Sequence, residues 1–197
     1  DRDKTDKVVR IIAEGRAWGV EILPPEINES KLDFTVVYND ETLPKKSGAK
    51  RVKSRVRDSL NPKIRFGLGA VRGVGEGALE GLFEVREDSP FEDLFDLAER
   101  VDVRRLNKGV LEALVQCGAL DASLERREVT RAQALASIDR VMERGKAASR
   151  DRETGQTNLF GMFQATSGES QRAADYVHVE PWDLAETLRV AKRSVGF

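Results

Sequence analysis

The chain has 197 residues, 34% of them charged, 40% hydrophobic and only 6% aromatic, with a formal net charge of −1. That length accommodates one sizeable domain or two small ones, and the near-neutral balance excludes a polycation, so any contact with nucleic acid must come from local patches. No apolar run approaches the ~18 residues of a membrane span and no secretory leader is recognisable; the single cysteine, Cys117, excludes an internal disulfide and points to a cytoplasmic protein.

Val8, Ile11, Ile12 and Gly15 recur at helical spacing and predict a helix over 5–18, capped by Thr5 or Asp6 and ended by Trp18-Gly19. Pro24 and Pro25 force Ile22-Leu23 to be extended. Phe34 to Tyr38 is β-branched and aromatic and predicts a short strand, which Ile64-Arg65-Phe66-Gly67 would pair as a small β-hairpin. Between these, residues 45–57 hold Lys45, Lys46, Lys50, Arg51, Lys53, Arg55 and Arg57 and no acid. Such a run reads as a surface loop, either a solvated insertion or an arm that contacts phosphates through residues such as Lys50, Arg51 and Lys53.

Residues 68–86 predict two helices joined by Gly73-Val74-Gly75, with Leu68 and Val71 before the turn and Leu79, Leu82 and Phe83 after it. Ser89-Pro90-Phe91-Glu92 predicts the next helix start, with Ser89 as cap, Pro90 first and Glu92 completing a capping box. Phe91, Leu94, Phe95 and Ala98 would form its apolar face. Asn107 caps a helix bearing Val110, Leu111, Leu114 and Val115, which Gly118 stops. Cys117 follows that apolar face, so a buried, inert thiol is expected. Ala132, Leu135, Ile138 and Met142 mark one further amphipathic helix. Beyond about residue 145 the chain turns polar and loop-like until Trp182, and a last helix holds Leu184, Leu188 and Ala191. The fold class expected is mainly α: a helical domain with helix-hairpin-helix motifs and a small β-hairpin, followed by a loop-rich tether.

Gly-Val-Gly between two short helices is the core of a helix-hairpin-helix. Glycines let the backbone turn tightly and approach a phosphate with no Cβ in the way. The N–H groups opening the second helix then face an anion, helped by the helix dipole, while Val74 packs inward. On this reading Gly73, Val74 and Gly75 offer backbone amides and Arg72 is the nearest cation. Binding would be independent of sequence and sensitive to salt. A purely structural turn is the alternative. Glu76, Glu80 and Glu84 line one face of the second helix and would repel DNA, so contact must use the turn. The dinucleotide fingerprint and the P-loop are both excluded: helix precedes the glycines, and no Gly-Lys-Ser/Thr follows them.

Gln156-Thr157-Asn158-Leu159-Phe160 has the pattern of a peptide that plugs a sliding clamp. The Gln156 amide can pin a backbone through donors and acceptor, and Leu159 and Phe160 can fill an apolar pocket. A local core anchor is the alternative. The one histidine, His178, has no clustered partner, and no pairing of carboxylates marks a metal centre or a catalytic constellation. The chain lacks an initial methionine and reads as a piece of a larger protein.

Taken in order, Asp6 to Val9, Ile22 to Asn28, Phe66 to Gly77, Phe91 to Leu97, Leu106 to Glu112, Cys117 to Asp121 and Gln156 to Phe160 resemble the alpha subunit of bacterial DNA polymerase III, the C-family replicative polymerases. The resemblance covers nearly the whole chain. It implies the C-terminal part of the fingers with a β-hairpin and basic insertion over 1–63, a helix-hairpin-helix DNA-binding domain over 64–145, and a clamp-binding peptide and linker over 146–197. It implies DNA, the beta sliding clamp and other replicase subunits as partners, and no membrane. No catalytic residue and no metal or cofactor site is expected here, since the family's catalytic aspartates, and the Mg2+ they would use, belong to a palm domain before this segment. The basic stretch around 41–62 is longer than the resemblance leads one to expect, so the family does not vouch for it. A sequence-independent helix-hairpin-helix module of a repair or recombination scaffold is the alternative function, and a structural connector the third.

Overall fold

The computed structural model describes residues 2–38, 62–102, 104–154 and 175–195, with side chains from Lys7 onward. Among these residues, three short strands, β1 (Glu21–Leu23), β2 (Thr35–Val37) and β3 (Lys63–Arg65), precede seven helices, and one helix, α1 (Arg2–Ala17), stands before them. The seven are α2 (Glu76–Asp88), α3 (Leu94–Arg100), α4 (Lys108–Gln116), α5 (Asp121–Glu125), α6 (Arg131–Ala136), α7 (Ile138–Thr154) and α8 (Leu184–Val195). The mainly helical expectation with a small β element agrees with this architecture.

Helix α1 begins earlier than the expected capping residues Thr5 and Asp6 and ends at Trp18-Gly19 as expected. Only Ile12 of its apolar set is buried, whereas Ile11 is exposed. The paired strands form a three-stranded mixed sheet of order β1-β3-β2 rather than a hairpin alone. Val36 pairs antiparallel with Ile64, which pairs parallel with Ile22 on its other side. The two prolines after Leu23 explain why β1 is short, since neither has an N–H for a ladder. Phe34 and Phe66 meet edge to face, centroids 4.7 Å apart, with Phe66 buried in the core and Phe34 packed against it.

The core lies under α2, α3, α4 and α7. Leu79 and Leu82 of α2, Leu94 and Leu97 of α3, and Leu111 and Leu114 of α4 are all essentially inaccessible to solvent. Each such side chain contributes roughly 1.5–3 kcal/mol on leaving water. Asn107 caps α4 by accepting from the Val110 N–H at 3.1 Å, and the helix ends before Gly118, as the sequence predicts.

Four expectations are corrected. The first arm of the hairpin is a single 3-10 turn, Leu68–Ala70, not a full helix, because the backbone is already extended at Val71 (φ −75°, ψ 125°), while Leu68 and Gly69 donate their N–H groups to the Lys31 and Leu32 carbonyls. The helix expected at Ser89 starts four residues later. Asp93 is its cap, accepting from the Asp96 N–H at 2.8 Å, and Asn28 holds Phe91 outside the helix by bonding both its N–H and its carbonyl. The helix expected around Ala132 to Met142 is two helices broken at Ser137, and α7 continues to Thr154, past the point where the composition turns polar. Its middle is held by Arg144, which pairs with Glu99 at 2.7 Å and with Asp175 at 2.6 Å, and its polar second half by Arg152, which donates to the Arg100 carbonyl, and Glu153, which pairs with Arg104. In α8 the side buried is Val190, Ser194 and Val195, while Leu184 and Leu188 are exposed.

Candidate nucleic-acid interface

The turn from residue 67 to 77 is fixed from below. Gly67 passes so close to the 32–34 segment that a Cβ would lie 2.5 Å from the Asp33 carbonyl carbon. The 3-10 turn then buries Leu68, and Val71 and Val74 point into the core on either side of Arg72-Gly73. Gly73 has φ +86°, the left-handed region that an L side chain enters at a cost of roughly 1–2 kcal/mol. The Val74 N–H is engaged by the Val71 carbonyl at 3.3 Å, and the Arg72 N–H by the Ser194 carbonyl at 2.9 Å.

Gly75 is the N-cap of α2, in extended conformation and with no side chain to cap it. Its carbonyl accepts from Ala78 and Leu79. The N–H groups of Gly75, Glu76 and Gly77 have no partner among the described residues. A Cβ at Gly75 or Gly77 would meet nothing within 4 Å, so the fold itself does not demand glycine at either position. Three unpaired amides at the start of a 13-residue helix, with open space before them, form an anion-binding geometry.

The charge around this turn is uneven. Arg72 is exposed beside Gly73, and Glu76, Glu80 and Glu84 are exposed along α2. Arg86, further along the same helix, is turned inward. It donates to the Ile27 and Ser30 carbonyls at 2.7 and 2.8 Å, and burial pulls its pKa below the usual arginine value. It therefore anchors α2 and is not a surface cation. The last turn of α8 reaches the hairpin from the far end of the chain. Ser194, whose carbonyl holds the Arg72 N–H, also donates from Oγ to Gln116 Oε1 at 3.1 Å, and exposed Lys192 and Arg193 precede it.

A helix-hairpin-helix family model matches residues 19–146. The DNA polymerase III alpha subunit of Pseudomonas aeruginosa is 33% identical over 208 residues, taking in the whole chain and 16% of that protein. Those of Thermus aquaticus and Escherichia coli K12 are 33% and 30% identical over 197 residues, again the whole chain, and 13% and 15% of the relatives. The chain belongs to the DNA polymerase III alpha subunit family. It spans about one sixth of the length of these relatives or less, and the helix-hairpin-helix match includes the whole of the turn just described.

Within this family segment, Arg72, Gly73, Val74 and Gly75 come together as one turn, with the unpaired amides lying on its C-terminal side, at 75–77. Lys50, Arg51 and Lys53, and likewise Gln156, Leu159 and Phe160, lie outside the described residues. His178 is exposed, and among the described residues no group of His, Cys, Asp and Glu is arranged to hold a metal ion. Cys117 is buried, and burial pushes its thiol up to about 12. No helix among the described residues is long and apolar enough to cross a membrane. Sequence reasoning missed the α8 contact. Nothing local to Lys192-Arg193-Ser194 signals it, because the partner lies on the opposite side of the chain's helical domain in sequence.

Proposed function

We propose that this chain is a noncatalytic segment of a bacterial replicative DNA polymerase that grips the backbone of duplex DNA and tethers the polymerase to its beta sliding clamp. The observation that carries the DNA half is the hairpin: a left-handed Gly73, then three unpaired amides at Gly75, Glu76 and Gly77 with no side chain over them. Amides of this kind bind phosphate oxygens and read no bases, so the grip is independent of sequence. It suits a polymerase, which must hold whatever sequence it has just made. The helix-hairpin-helix match and the polymerase relatives support the same reading.

The clamp half rests on the spacing of Gln156, Leu159 and Phe160, directly after α7 ends at Thr154. Two weak grips on one DNA–clamp assembly raise the effective concentration of each for its site, and so raise processivity. The basic run at 45–57 would add phosphate contacts through Lys50, Arg51 and Lys53.

The test is paired. Calorimetric titration of the chain with a bacterial beta clamp should give micromolar binding that the triple change Gln156→Ala, Leu159→Ala, Phe160→Ala abolishes, while duplex binding followed by fluorescence anisotropy is unaltered. Clamp affinity unmoved by the triple change would remove the peptide assignment. Duplex affinity that does not respond to salt would remove the backbone grip.

A further inference from the structure

Two exposed cations, Lys192 and Arg193, stand in the last turn of α8 next to the hairpin. The last turn of α8 ends on the Arg72 N–H through the Ser194 carbonyl, 2.9 Å away. Ser194 and Val195 are buried against the body of the domain, and Ser194 Oγ is fixed to Gln116 at the end of α4. The end of α8 is thus attached at two points, and it sets Lys192 and Arg193, both exposed and neither in an ion pair with any described residue, within one helical turn of the residue that holds Arg72. The exposed acids Glu76, Glu80 and Glu84 along α2 would push a DNA strand away from the side of α2.

We infer that Lys192 and Arg193 extend the hairpin into a three-cation phosphate clamp with Arg72, so that α8 is part of the DNA-binding surface. The inference rests on the reading of the hairpin as a backbone grip and adds its direction: the strand leaves the 75–77 amides over Arg72 and continues along the end of α8. It also gives the Arg72–Ser194 bond a purpose. A hairpin tied to α8 cannot shift without moving these two cations, so amides and charges meet successive phosphates as a unit. The simpler role for basic residues in a last helical turn is to offset the helix dipole. That role concerns stability and makes no demand on DNA.

The experiment is anisotropy titration of the full chain with a short labelled duplex between ~50 and ~200 mM salt, where each neutralised phosphate adds about 0.9 to the steepness of log K against log salt. The double change Lys192→Gln, Arg193→Gln should weaken binding roughly tenfold or more at the low-salt end and make the slope shallower by about 0.9 for each phosphate no longer neutralised. Its Tm should stay near that of the parent. Lys146→Gln on α7, which removes one positive charge elsewhere on the surface, should leave the slope alone. If the double change lowers Tm, each single change is read in the same way. An unchanged slope in the double variant, alongside weakened binding in Gly75→Ala, overturns the α8 contact and leaves the hairpin reading standing. A parent chain that fails to bind duplex at low salt overturns both.

Discussion

Asn28 closes a two-bond ring with the backbone of Phe91: its Nδ2 donates to the Phe91 carbonyl at 2.9 Å and its Oδ1 accepts from the Phe91 N–H at 2.7 Å. This joins the loop after β1 to the approach to α3 and seats the Phe91 ring in the core, where Arg100 lies over it at 4.8 Å. Both backbone groups are partly buried, so water does not readily replace the amide. Asn28→Ala should cost about 2 kcal/mol, the penalty of leaving such groups unmet. Urea unfolding checks this; an unchanged midpoint would show that the ring adds nothing to stability.

Asp93 does two things at once. Its Oδ1 caps α3, and its Oδ2 lies 3.0 Å from Arg127 Nη2 with the carboxylate wholly buried. Breaking a buried pair costs about 3–5 kcal/mol, and here the mostly buried Arg127 would keep only the exposed Glu92, at 3.6 Å, as an ion-pair partner among the described residues, which sets the loss at the lower end of that range. Asp93→Ala should lose this and the cap together. Asp93→Asn keeps a capping oxygen and loses only the charge, so its loss should be smaller by about 1 kcal/mol. Equal losses for the two variants would mean that the cap contributes nothing.

Alkaline pH should unfold the domain through its buried acids. Burial raises the Cys117 thiol from 9.0 to about 12 and also raises the Tyr176 phenol. Both groups favour their neutral form when folded. The stability this provides is fully present below their unfolded pKa values and is lost as pH rises through the folded ones. Stability should therefore decline steadily from about pH 9 toward 12. Cys117→Ser removes the thiol's share, so its decline should be shallower. Thiol-reactive dye should label Cys117 slowly at about pH 8 in the folded chain and at once in urea, where the thiol has its ordinary pKa and full access. Rapid labelling of the folded chain would contradict the burial.

What was legible in the sequence follows range. Asn107 to Gly118 was readable because cap, apolar spacing and stop all lie within one helix. The left-handed turn at Gly73 and the helix after it were readable from local residues, but the arm before it, a single 3-10 turn, was not. The start of α3 was not. Ser89-Pro90 has every local mark of a helix start, but Asn28, distant in sequence, holds Phe91 extended and hands the cap to Asp93. The second half of α7 looks like loop because the contacts that hold it are polar ones, the Arg152 bond to the Arg100 carbonyl and the Glu153 pair with Arg104, and not an apolar face. Leu184 and Leu188 have core-like spacing, yet α8 is turned by the contacts of Ser194 and Val195. In each case a tertiary contact outweighed a local preference worth about 1 kcal/mol or less.

The two glycines of the hairpin should separate folding from binding. At Gly73, φ +86° makes alanine costly by roughly 1–2 kcal/mol, and the added methyl would sit 3.6 Å from the Ala113 Cβ, an ordinary contact. Gly73→Ala should therefore lower Tm, and weaken DNA binding only as far as the turn is distorted. At Gly75, φ is −84° and nothing lies within 4 Å of the new methyl. Gly75→Ala should leave stability nearly unchanged, since alanine is a poorer N-cap than glycine but loses less entropy on folding. Its methyl would occupy the space through which a phosphate reaches the amides. Duplex affinity at low salt should then fall several-fold with Tm unmoved. If Gly75→Ala bound DNA as tightly as the parent, the open ground before α2 would hold no phosphate, and glycine at 75 would need another explanation.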